Sequence, residues 1–389
     1  MRVAYICADH GISVFGCNGA AVHIQEMIRA LRGLGHQVEL FAAKVGGRPP
    51  ADLEHLLLHQ VTMPAPRSEE LAEANDRLRK SIADAGVFDC IYERYSLWSY
   101  GPLEYARDRG VPGVLEVNAP LIDEQVTRRR PIDCAAAERV AARVFAAASL
   151  ITVVSSELMV YVTQRMAARG APYVVQNAVN PLRFAADVLP SITREANVFT
   201  IGFLGSMKPW HGLPTLIEAF ALLHERPDEY RLLLIGDGPE RKAAEAALVA
   251  RRLDAATTFT GEVPPADVPG LLASVDVAVA PYPQLPSFYF SPLKIYEYMA
   301  AGLPIVASCV GQLNELISDG VTGLLCPADD PRALAARLEL LRNDASLRAR
   351  LGAAARRRVL DGHTWGATAE RVLSLAGFMC SAHAMEAVR

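Results

Sequence analysis

The sequence lacks paired cysteines. Its seven cysteines are scattered singly from Cys7 to Cys380, with no C-x-x-C pair. A disulfide scaffold or a structural zinc site usually places cysteines at short, repeated spacings, so both are disfavoured. Dispersed cysteines in apolar surroundings are typical of reduced core thiols, and we therefore expect a cytoplasmic protein.

Long apolar runs and an excess of basic charge are also missing. No stretch approaches the roughly 18 apolar residues of a membrane-spanning helix. The first residues reach Asp9 and His10 too soon for a signal peptide. The formal net charge of −4 disfavours a nucleic-acid-binding protein, which usually presents a basic face. Basic residues cluster only locally, at Arg128–Arg130 and in the stretch 348–359, where peripheral contact with a membrane surface remains an open alternative to a solvated face.

The common catalytic and metal-binding motifs are absent. The sequence contains no H-E-x-x-H, EF-hand loop, P-loop or G-x-S-x-G. The glycine-bearing loop after the first apolar run (Gly11, Gly16 and Gly19) is not a complete G-x-G-x-x-G, which disfavours a dinucleotide-dependent oxidoreductase. No Asp-x-Asp pair falls in a suitable loop, so we expect neither a bound metal nor a cofactor.

The chain has the pattern of two α/β domains. At 389 residues it is too long for one ordinary core, and 51% hydrophobic with 21% charged residues is typical of a globular protein. Val3–Cys7 and Gln37–Ala42 are predicted strands on either side of a helix over Ala20–Leu34. Phe199–Leu204 starts a second series of this kind after the polar stretch 190–197. We therefore predict doubly wound parallel sheets.

The most informative stretch is Phe290–Ser308. Ser291 is suited to cap a helix whose first residue is Pro292, and the helix would end at Gly302. The free N–H groups of such a helix start favour a phosphate. Lys294 adds a cation, and Glu297 is placed to accept hydrogen bonds from a diol such as a ribose. A capped surface helix with a solvated lysine and glutamate is the alternative.

Further candidates follow the predicted strands of the first half. Glu93 and Arg94 end one strand, which makes them candidates for binding an acceptor substrate, although a local ion pair explains them equally well. His23 lies on the polar side of the first helix, where it is either functional or simply solvated. Asn118 ends another strand and can exchange hydrogen bonds but not take a proton.

The sequence resembles the retaining glycosyltransferases of family 4, which have the GT-B fold of two Rossmann-like domains facing across a cleft. The resemblance rests on the stretch around Ser291-Pro292-Leu293-Lys294 and Glu297, on the turn Gly236-Asp237-Gly238-Pro239, and on Gly320-Val321-Thr322-Gly323. It implies an acceptor-binding domain over residues 1–185, a donor-binding domain over 186–365, and a helix over 366–389 that returns to the first domain.

The resemblance also assigns roles to single residues. It implies donor and nucleotide contacts for Gly19, Gly205, Ser206, His211, Gly236, Asp237, Val263, Tyr289, Ser291, Pro292, Leu293 and Glu297. Lys208, Lys294 and Asn118 would be catalytic, and His23, Glu93 and Arg94 would bind the acceptor. Five positions depart from the family pattern, because Asn18, Ser206, His211, Asn118 and Tyr289 stand where a Gly, an Arg, a Lys, a His and a Glu are usual.

We therefore predict a retaining, metal-independent glycosyltransferase. It would move a sugar from a nucleoside diphosphate of the UDP or GDP type to a glycan, a lipid-linked acceptor or a natural product. Two alternatives remain, a sugar-nucleotide 2-epimerase of the same fold and an inactive subunit that only binds a nucleotide sugar.

Overall fold

The computed structural model describes residues 1–63, 68–127, 132–166, 171–185, 187–224 and 229–378. Arg128–Arg130, and residues 379–389 of the predicted C-terminal helix, lie outside the described residues.

The chain forms two compact units. Unit 1 comprises Met1–Asn177, Tyr289–Ser291 and the chain from Trp365, and unit 2 comprises Ala178–Phe288 and Pro292–Thr364. The chain thus passes from unit 1 to unit 2 after Asn177, whereas the sequence placed the domain boundary after residue 185. Tyr289 and Ser291, which the sequence assigned to the donor-binding half, are part of unit 1.

Unit 1 is built on a sheet of seven parallel strands with helices on its faces. The strands are β1 (Arg2–Cys7), β2 (Gln37–Ala42), β3 (Leu57–Gln60), β4 (Cys90–Arg94), β5 (Gly113–Val117), β6 (Leu150–Val153) and β7 (Tyr173–Val174). The helices that precede unit 2 in the chain are α1 (Gly19–Gly33), α2 (Ser68–Asp84), α3 (Gly101–Arg109), α4 (Leu121–Thr127), α5 (Cys134–Ala147) and α6 (Ser156–Thr163).

Unit 2 has a sheet of six parallel strands. These are β8 (Phe199–Leu204), β9 (Tyr230–Ile235), β10 (Thr257–Phe259), β11 (Val277–Ala280), β12 (Ile305–Ser308) and β13 (Leu324–Cys326). Its helices are α7 (Leu213–Leu223), α8 (Arg241–Ala250), α9 (Val268–Ala273), α10 (Leu293–Ala300), α11 (Leu313–Leu316), α12 (Pro331–Asn343) and α13 (Ala345–Gly362). The last helix, α14 (Trp365–Leu375), belongs to unit 1 and packs on α1.

Both sheets have the doubly wound strand order. The first runs β3-β2-β1-β4-β5-β6-β7 and the second β10-β9-β8-β11-β12-β13. In each sheet the chain first winds one way and then returns to the centre to wind the other way. The predicted pair of Rossmann-like domains is therefore confirmed. Ligands of such sheets bind beyond the carboxyl ends of the strands where the winding direction reverses, which are β1 and β4 in unit 1 and β8 and β11 in unit 2.

The central strands form because most of their residues are buried, whereas the strands β3, β7 and β10 are exposed or only partly buried. β11 and β12 are fully buried runs of small and β-branched residues (Val277–Ala280 and Ile305–Ser308), as expected for strands covered by helices on both sides. The aliphatic side chains of α7, such as Leu216 and Ile217, pack on the second sheet.

The basic helix α13 packs against neighbouring helix ends. Arg348 donates to the carbonyl of Arg342 at 2.9 Å, Arg356 donates to the carbonyl of Ala300, and Arg358 donates to the carbonyl of Glu315 at 2.6 Å. These bonds satisfy carbonyls that the last turns of α12, α10 and α11 leave without intrahelical partners. Three arginines of the predicted basic face therefore have structural contacts. Separately, no described helix is both long enough and apolar enough to cross a membrane.

Candidate active site

In unit 2, helix α10 is anchored at the point where the winding reverses. The N–H of Leu204, at the end of β8, donates to the Tyr298 hydroxyl at 2.7 Å, and that hydroxyl lies 3.3 Å from the Val279 carbonyl on β11. One side chain of α10 thus ties both central strands to the helix. Residues near its start are thereby held beside the loops that follow β8 and β11.

Lys294 is the most unusual charged group there. It is only 7% exposed, and its Nζ lies 4.2 Å from the ring centre of Phe203 and 5.3 Å from that of Tyr282. Within the described residues Nζ has no hydrogen-bond partner. Burial lowers the pKa of Lys294 to about 7, and the nearby Glu297 carboxylate raises it by less. An anion placed against Nζ would supply the missing partner and favour the charged form.

Glycines bring the strand-end loops close to this amine. A methyl group on Gly205 (φ +154°) would lie 2.7 Å from the Lys294 Nζ. A methyl group on Gly236 (φ +123°) would lie 2.2 Å from the Gly205 carbonyl oxygen. The loops after β8 and β9 therefore pack backbone on backbone, and Nζ lies directly beside the Gly205 backbone. Ser206 follows in the same loop and is half-buried.

His211 and Lys208 belong to the turn after β8. The Lys208 N–H donates to the His211 Nδ1 at 3.4 Å, and the His211 ring lies edge-on to Tyr282. Burial lowers the pKa of His211 to about 2, with further lowering by Lys294 and Lys208. His211 is therefore neutral where the family pattern has a lysine. Lys208 belongs to this turn, and Lys294 lies beside it on α10.

The start of α10 differs from the prediction. Pro292 is the N-cap and Leu293 is the first helical residue, so Ser291 does not cap the helix. The Ser291 hydroxyl instead accepts a hydrogen bond from the Asn177 N–H at 3.0 Å, within unit 1. The first N–H groups of α10 still lack partners inside the helix, as at any helix start.

Glu297 lies one turn further along α10 and is held by an arginine. Its Oε1 is 3.1 Å from Nη1 of Arg183, whose Nη2 donates to the Pro265 carbonyl at 2.5 Å. Both side chains are largely buried. The guanidinium orients the carboxylate, and nothing in the local sequence around Arg183 indicates this pairing.

The remaining donor candidates of unit 2 lie in the next two turns. Asp237 accepts from the Gly238 N–H at 2.7 Å and from Arg241 at 3.0 Å, which gives it a role in the turn. The Gly236 N–H donates to the Thr260 hydroxyl at 3.1 Å, which joins this turn to the one after β10. Val263 follows that second turn and is half-buried.

In unit 1 the strand register places polar residues of β4, β5 and β6 side by side in one row across the sheet. Arg94 on β4 lies opposite Glu116 on β5, which lies opposite Thr152 on β6. Arg94 Nη1 is 3.3 Å from the Glu116 carboxylate and donates to the Asn118 Oδ1 at 2.7 Å. Asn118 Nδ2 and the Tyr92 hydroxyl also donate to that carboxylate. Although burial raises the pKa of Glu116, His23 and Arg94 lower it more.

His23 is buried at 4% exposure, so the prediction of a solvated side chain is wrong. Its Nε2 lies 2.6 Å from Glu116 Oε1, and its Nδ1 lies 2.7 Å from Asn177 Oδ1. The ring also packs edge-on against Trp365 of α14, at 4.7 Å between ring centres. The helix face that looks polar in sequence is covered by this distant segment.

Glu93 and Arg94 are separated by the sheet. They are consecutive on β4 and therefore point to opposite faces, so a local ion pair between them, the alternative to an acceptor-binding role, is excluded. Arg94 pairs across strands with Glu116, whereas Glu93 is fully buried. Burial raises the pKa of Glu93 to about 8, and the Ser99 hydroxyl lowers it by less.

Two further candidates also lie in unit 1. Gly19 is the first residue of α1, behind the N-cap Asn18, whose side chain accepts from the Ala21 N–H at 3.0 Å. The Tyr289 hydroxyl donates to Glu124, and the Tyr289 carbonyl accepts from the Ser155 hydroxyl at 2.9 Å.

The structure therefore gathers the candidates into two groups. In unit 2, Lys208, His211, Gly205 and Lys294 lie together beside the start of α10, with Gly236 packed behind Gly205. In unit 1, His23, Arg94 and Asn118 share one buried network. Within the described ranges, no three His, Cys, Asp or Glu side chains form a group that could hold a metal ion.

Comparison with known families accounts for most of the chain. A family model described as Glycosyltransferase Family 4 matches residues 17–183, and a model described as Glycosyl transferases group 1 matches residues 198–344.

Individual relatives extend along nearly the whole chain. The D-inositol 3-phosphate glycosyltransferase of Kribbella flavida is 31% identical, over 92% of this chain and 89% of that protein. The 2-deoxystreptamine glucosyltransferase of Streptomyces kanamyceticus is 27% identical, over 83% of this chain and 89% of that protein. Among solved structures, Anabaena HepE in complex with UDP-glucose has the same fold, with a TM-score of 0.72 and 19% identity over 97% of this chain and 100% of that chain.

The buried Glu93 carboxyl group makes the stability of unit 1 depend on pH. Its folded pKa of about 8 lies above its ordinary value of 4.5. Its contribution to stability is therefore complete below pH 4.5 and is lost as the pH rises through 8. Glu93→Gln and the parent should have the same free energy of unfolding at pH 4. At pH 9 the free energy of unfolding of Glu93→Gln should be higher by on the order of 4 kcal/mol.

Denaturant unfolding at pH 4, 7 and 9 measures this difference. Glu73→Gln, an exposed glutamate of α2 in the same unit, is the matched control and should leave the pH dependence unchanged. A parent protein whose unfolding free energy follows the same curve as Glu93→Gln between pH 4 and 9 would show that Glu93 does not titrate this way.

Proposed function

The chain belongs to glycosyltransferase family 4 and is a glycosyltransferase, and on that premise we propose that it transfers a sugar from a nucleoside diphosphate to a hydroxyl group of a cyclitol with retention at the anomeric carbon. The observation that carries this proposal is the buried Lys294 amine beside Gly205, which has no hydrogen-bond partner within the described residues.

The diphosphate of the donor would bind against this amine. An anion there would meet the Lys294 Nζ, the backbone of the Gly205 loop and the free N–H groups at the start of α10. Lys208 would supply a second cation from the same loop. The neutral His211 ring can donate only from Nε2, because its Nδ1 already accepts the Lys208 N–H.

The proposed chemistry needs little proton transfer by the protein. The bond between the anomeric carbon and the β-phosphate oxygen breaks, and a bond to the acceptor oxygen forms on the same face of the sugar. The departing phosphate oxygen takes the acceptor proton. Lys294 and the amides at the start of α10 stabilise the charge that develops on this oxygen, which is the kind of preorganised electrostatic effect that dominates many enzymatic barriers.

Glu297 would bind the ribose of the nucleotide. Arg183 lies against one of its oxygens and orients the carboxylate. A ribose presents two neighbouring hydroxyl groups as donors. The position of Glu297, less than one turn from Lys294 on α10, is suited to a nucleotide whose phosphates lie at the helix start.

The acceptor class is proposed from the relatives. Inositol and 2-deoxystreptamine are both six-membered carbocycles that carry several hydroxyl or amino groups, and two relatives of this chain are named for them. In unit 1, Arg94 and Asn118 lie at the carboxyl ends of central strands, where ligands of such sheets bind. The guanidinium is also suited to an acceptor that carries a phosphate.

A ligand panel and a transfer assay test the proposal. UDP-glucose, GDP-mannose and other nucleotide sugars are screened for thermal stabilisation, and each stabilising donor is then incubated with myo-inositol, inositol phosphate or 2-deoxystreptamine. We expect at least one donor to stabilise the protein and one cyclitol to be glycosylated, with the α or β configuration of the donor preserved. Activity should survive a chelating agent. Inversion of the anomeric configuration, or stabilisation by no nucleotide sugar, would contradict the proposal.

Lys294→Ala should lower turnover more than nucleotide affinity. The charge of Lys294 matters most when the leaving phosphate develops its charge, so kcat should fall by a factor on the order of 100 while the Kd for the intact nucleotide-sugar donor changes much less. Steady-state kinetics and calorimetry measure the two quantities. Lys242→Ala, an exposed lysine of α8, is the matched control and should change neither. Equal losses in kcat and affinity would argue against the transition-state role.

Glu297→Ala should weaken UDP binding by about 1–3 kcal/mol, because a buried hydrogen bond to a charged group is lost. Calorimetry with UDP measures the change. Arg183→Met is the companion variant, since it removes the partner but keeps the carboxylate, and it should weaken binding less. An unchanged Kd in Glu297→Ala would remove Glu297 from the nucleotide site.

A further inference from the structure

Arg183 joins two parts of unit 2 that are well separated in sequence. Its Nη1 lies 3.1 Å from Glu297 Oε1 on α10, and its Nη2 donates at 2.5 Å to the carbonyl of Pro265. Pro265 belongs to the segment that follows β10, here called the β10 loop (residues 261–267). All of these residues are part of unit 2, so the contacts lie within one compact unit. A single guanidinium group thus ties the Glu297 carboxylate to this loop.

The backbone that carries Arg183 is anchored to the rest of unit 2. It forms a short 3-10 turn, Pro181–Phe184, whose last side chain is buried. Just before this turn the Val179 N–H donates to the His363 carbonyl at 3.0 Å. The His363 ring packs against the ring of Tyr296 on α10, at 5.6 Å between ring centres. Arg183 therefore extends from a backbone that is held in place relative to α10.

The β10 loop is attached at two points. Near its start, the Gly236 N–H donates to the Thr260 hydroxyl at 3.1 Å, which holds it to the turn after β9. Further along, Pro264 and Pro265 have no N–H groups, so these two residues cannot be held by donating hydrogen bonds. The Pro265 carbonyl instead accepts from Arg183. Removal of the Arg183 side chain would release this second attachment and keep the first.

Arginine is suited to hold both partners at once. The guanidinium group is a rigid planar fork, and here its two terminal nitrogens have different acceptors, Glu297 and Pro265. The side chains of Arg183 and Glu297 are both largely buried, so water and salt screen their attraction little. A lysine would keep a positive charge beside Glu297. With one nitrogen on a flexible chain, it could not set the spacing between the carboxylate and the loop.

We propose that Arg183 is a positioning residue that determines the base selectivity of the donor site, because it fixes the β10 loop at a defined distance from Glu297. This inference rests on the proposed function. With the diphosphate at the start of α10 and the ribose on Glu297, the base extends past the carboxylate toward the β10 loop. A loop that is held in place favours one base over others, whereas a released loop can adapt to several.

Equilibrium binding measures the selectivity. The Kd values of UDP, GDP, CDP, ADP and pyrophosphate are determined by calorimetry for the parent, Arg183→Met and Arg183→Lys. In Arg183→Met the Kd of the preferred nucleoside diphosphate should rise about fivefold, the scale of one net hydrogen bond. Pyrophosphate, which has neither ribose nor base, and the disfavoured nucleotides should change by less than about twofold. Arg183→Lys should be as unselective as Arg183→Met, and a lysine variant with the parent's selectivity would contradict the proposal.

Hydrogen exchange tests the loop without any ligand. The amides of Glu262 and Val263 should exchange faster in Arg183→Met than in the parent, whereas the Gly236 amide, at the retained attachment, should exchange at the parent rate. Equal exchange at Glu262 and Val263 in the two proteins would overturn the proposal.

Arg251→Met is the matched control for binding and exchange. Arg251 also pairs with a glutamate, Glu218, and donates to a backbone carbonyl, that of Ala247 at 3.0 Å, but it does so at the end of α8. Its replacement removes the same kinds of contact from another part of unit 2. It should change neither the Kd values nor the exchange of the β10 loop.

Kinetics separates positioning from general damage to the site. For the preferred donor, kcat/KM of Arg183→Met should fall about fivefold with the loss residing in KM, because Lys294 and the start of α10 keep their places. A fall confined to kcat would show that Arg183 serves the chemical step instead of the binding of the nucleotide.

The remaining outcomes are distinct. If no nucleotide binds the parent protein, the proposed function fails and the selectivity proposal fails with it, whereas hydrogen exchange still decides whether Arg183 holds the loop. If the parent and Arg183→Met bind nucleotides with the same selectivity, the positioning role is refuted while the proposed function stands. If Arg183→Met fails to fold, Arg183→Lys supplies the same comparison, since it keeps the charge beside Glu297.

Discussion

The burial of the Lys294 amine against the Phe203 and Tyr282 rings is the constraint on which the proposed donor site of unit 2 depends. An ammonium group in this position loses water, and among the described residues no hydrogen-bond acceptor replaces it, so the pKa of Lys294 is lowered. Strong anchoring keeps the amine in this position despite the cost of losing water. Tyr298 fixes α10 to both central strands, and Gly205 permits close approach of the backbone. A site of this kind is organised before its ligand arrives, so little reorganisation accompanies the reaction.

Strand register explains the polar network of unit 1 in the same terms. Parallel pairing places Arg94 beside Glu116 although they are far apart in sequence, and it sends Glu93 to the opposite face. Two adjacent charged residues thus have different outcomes. Arg94 becomes part of a hydrogen-bonded cluster with Asn118, whereas Glu93 is enclosed and favours its protonated form. The candidate functional side chains Arg94 and Asn118 lie at the carboxyl ends of the strands. The same sheet buries the Glu93 carboxyl group, which the proposed reaction does not use.

The sequence alone was sufficient for the fold, and it also indicated the Phe290–Ser308 stretch on which the proposed donor site rests. Apolar runs alternating with helical periodicity predict both sheets, because strands buried on two faces have a distinct composition. The side-chain contacts were less predictable, since each depends on a distant partner. His23 is buried by Trp365, the Ser291 hydroxyl serves Asn177 instead of α10, and Glu297 is paired with Arg183. Local patterns record which residues form a helix, but not which remote segment covers it.

The assembly of unit 1 from three separate pieces of chain has a consequence for biosynthesis. A ribosome makes Met1–Asn177 first, and α14 emerges only after the whole of unit 2 has been translated. Until then the α1 surface that α14 covers, including His23, has no covering helix in the nascent polypeptide. The second unit, whose pieces are interrupted only by Tyr289–Ser291, is complete before the first. Every residue of unit 2 is therefore synthesised before α14, the helix of unit 1 that covers α1.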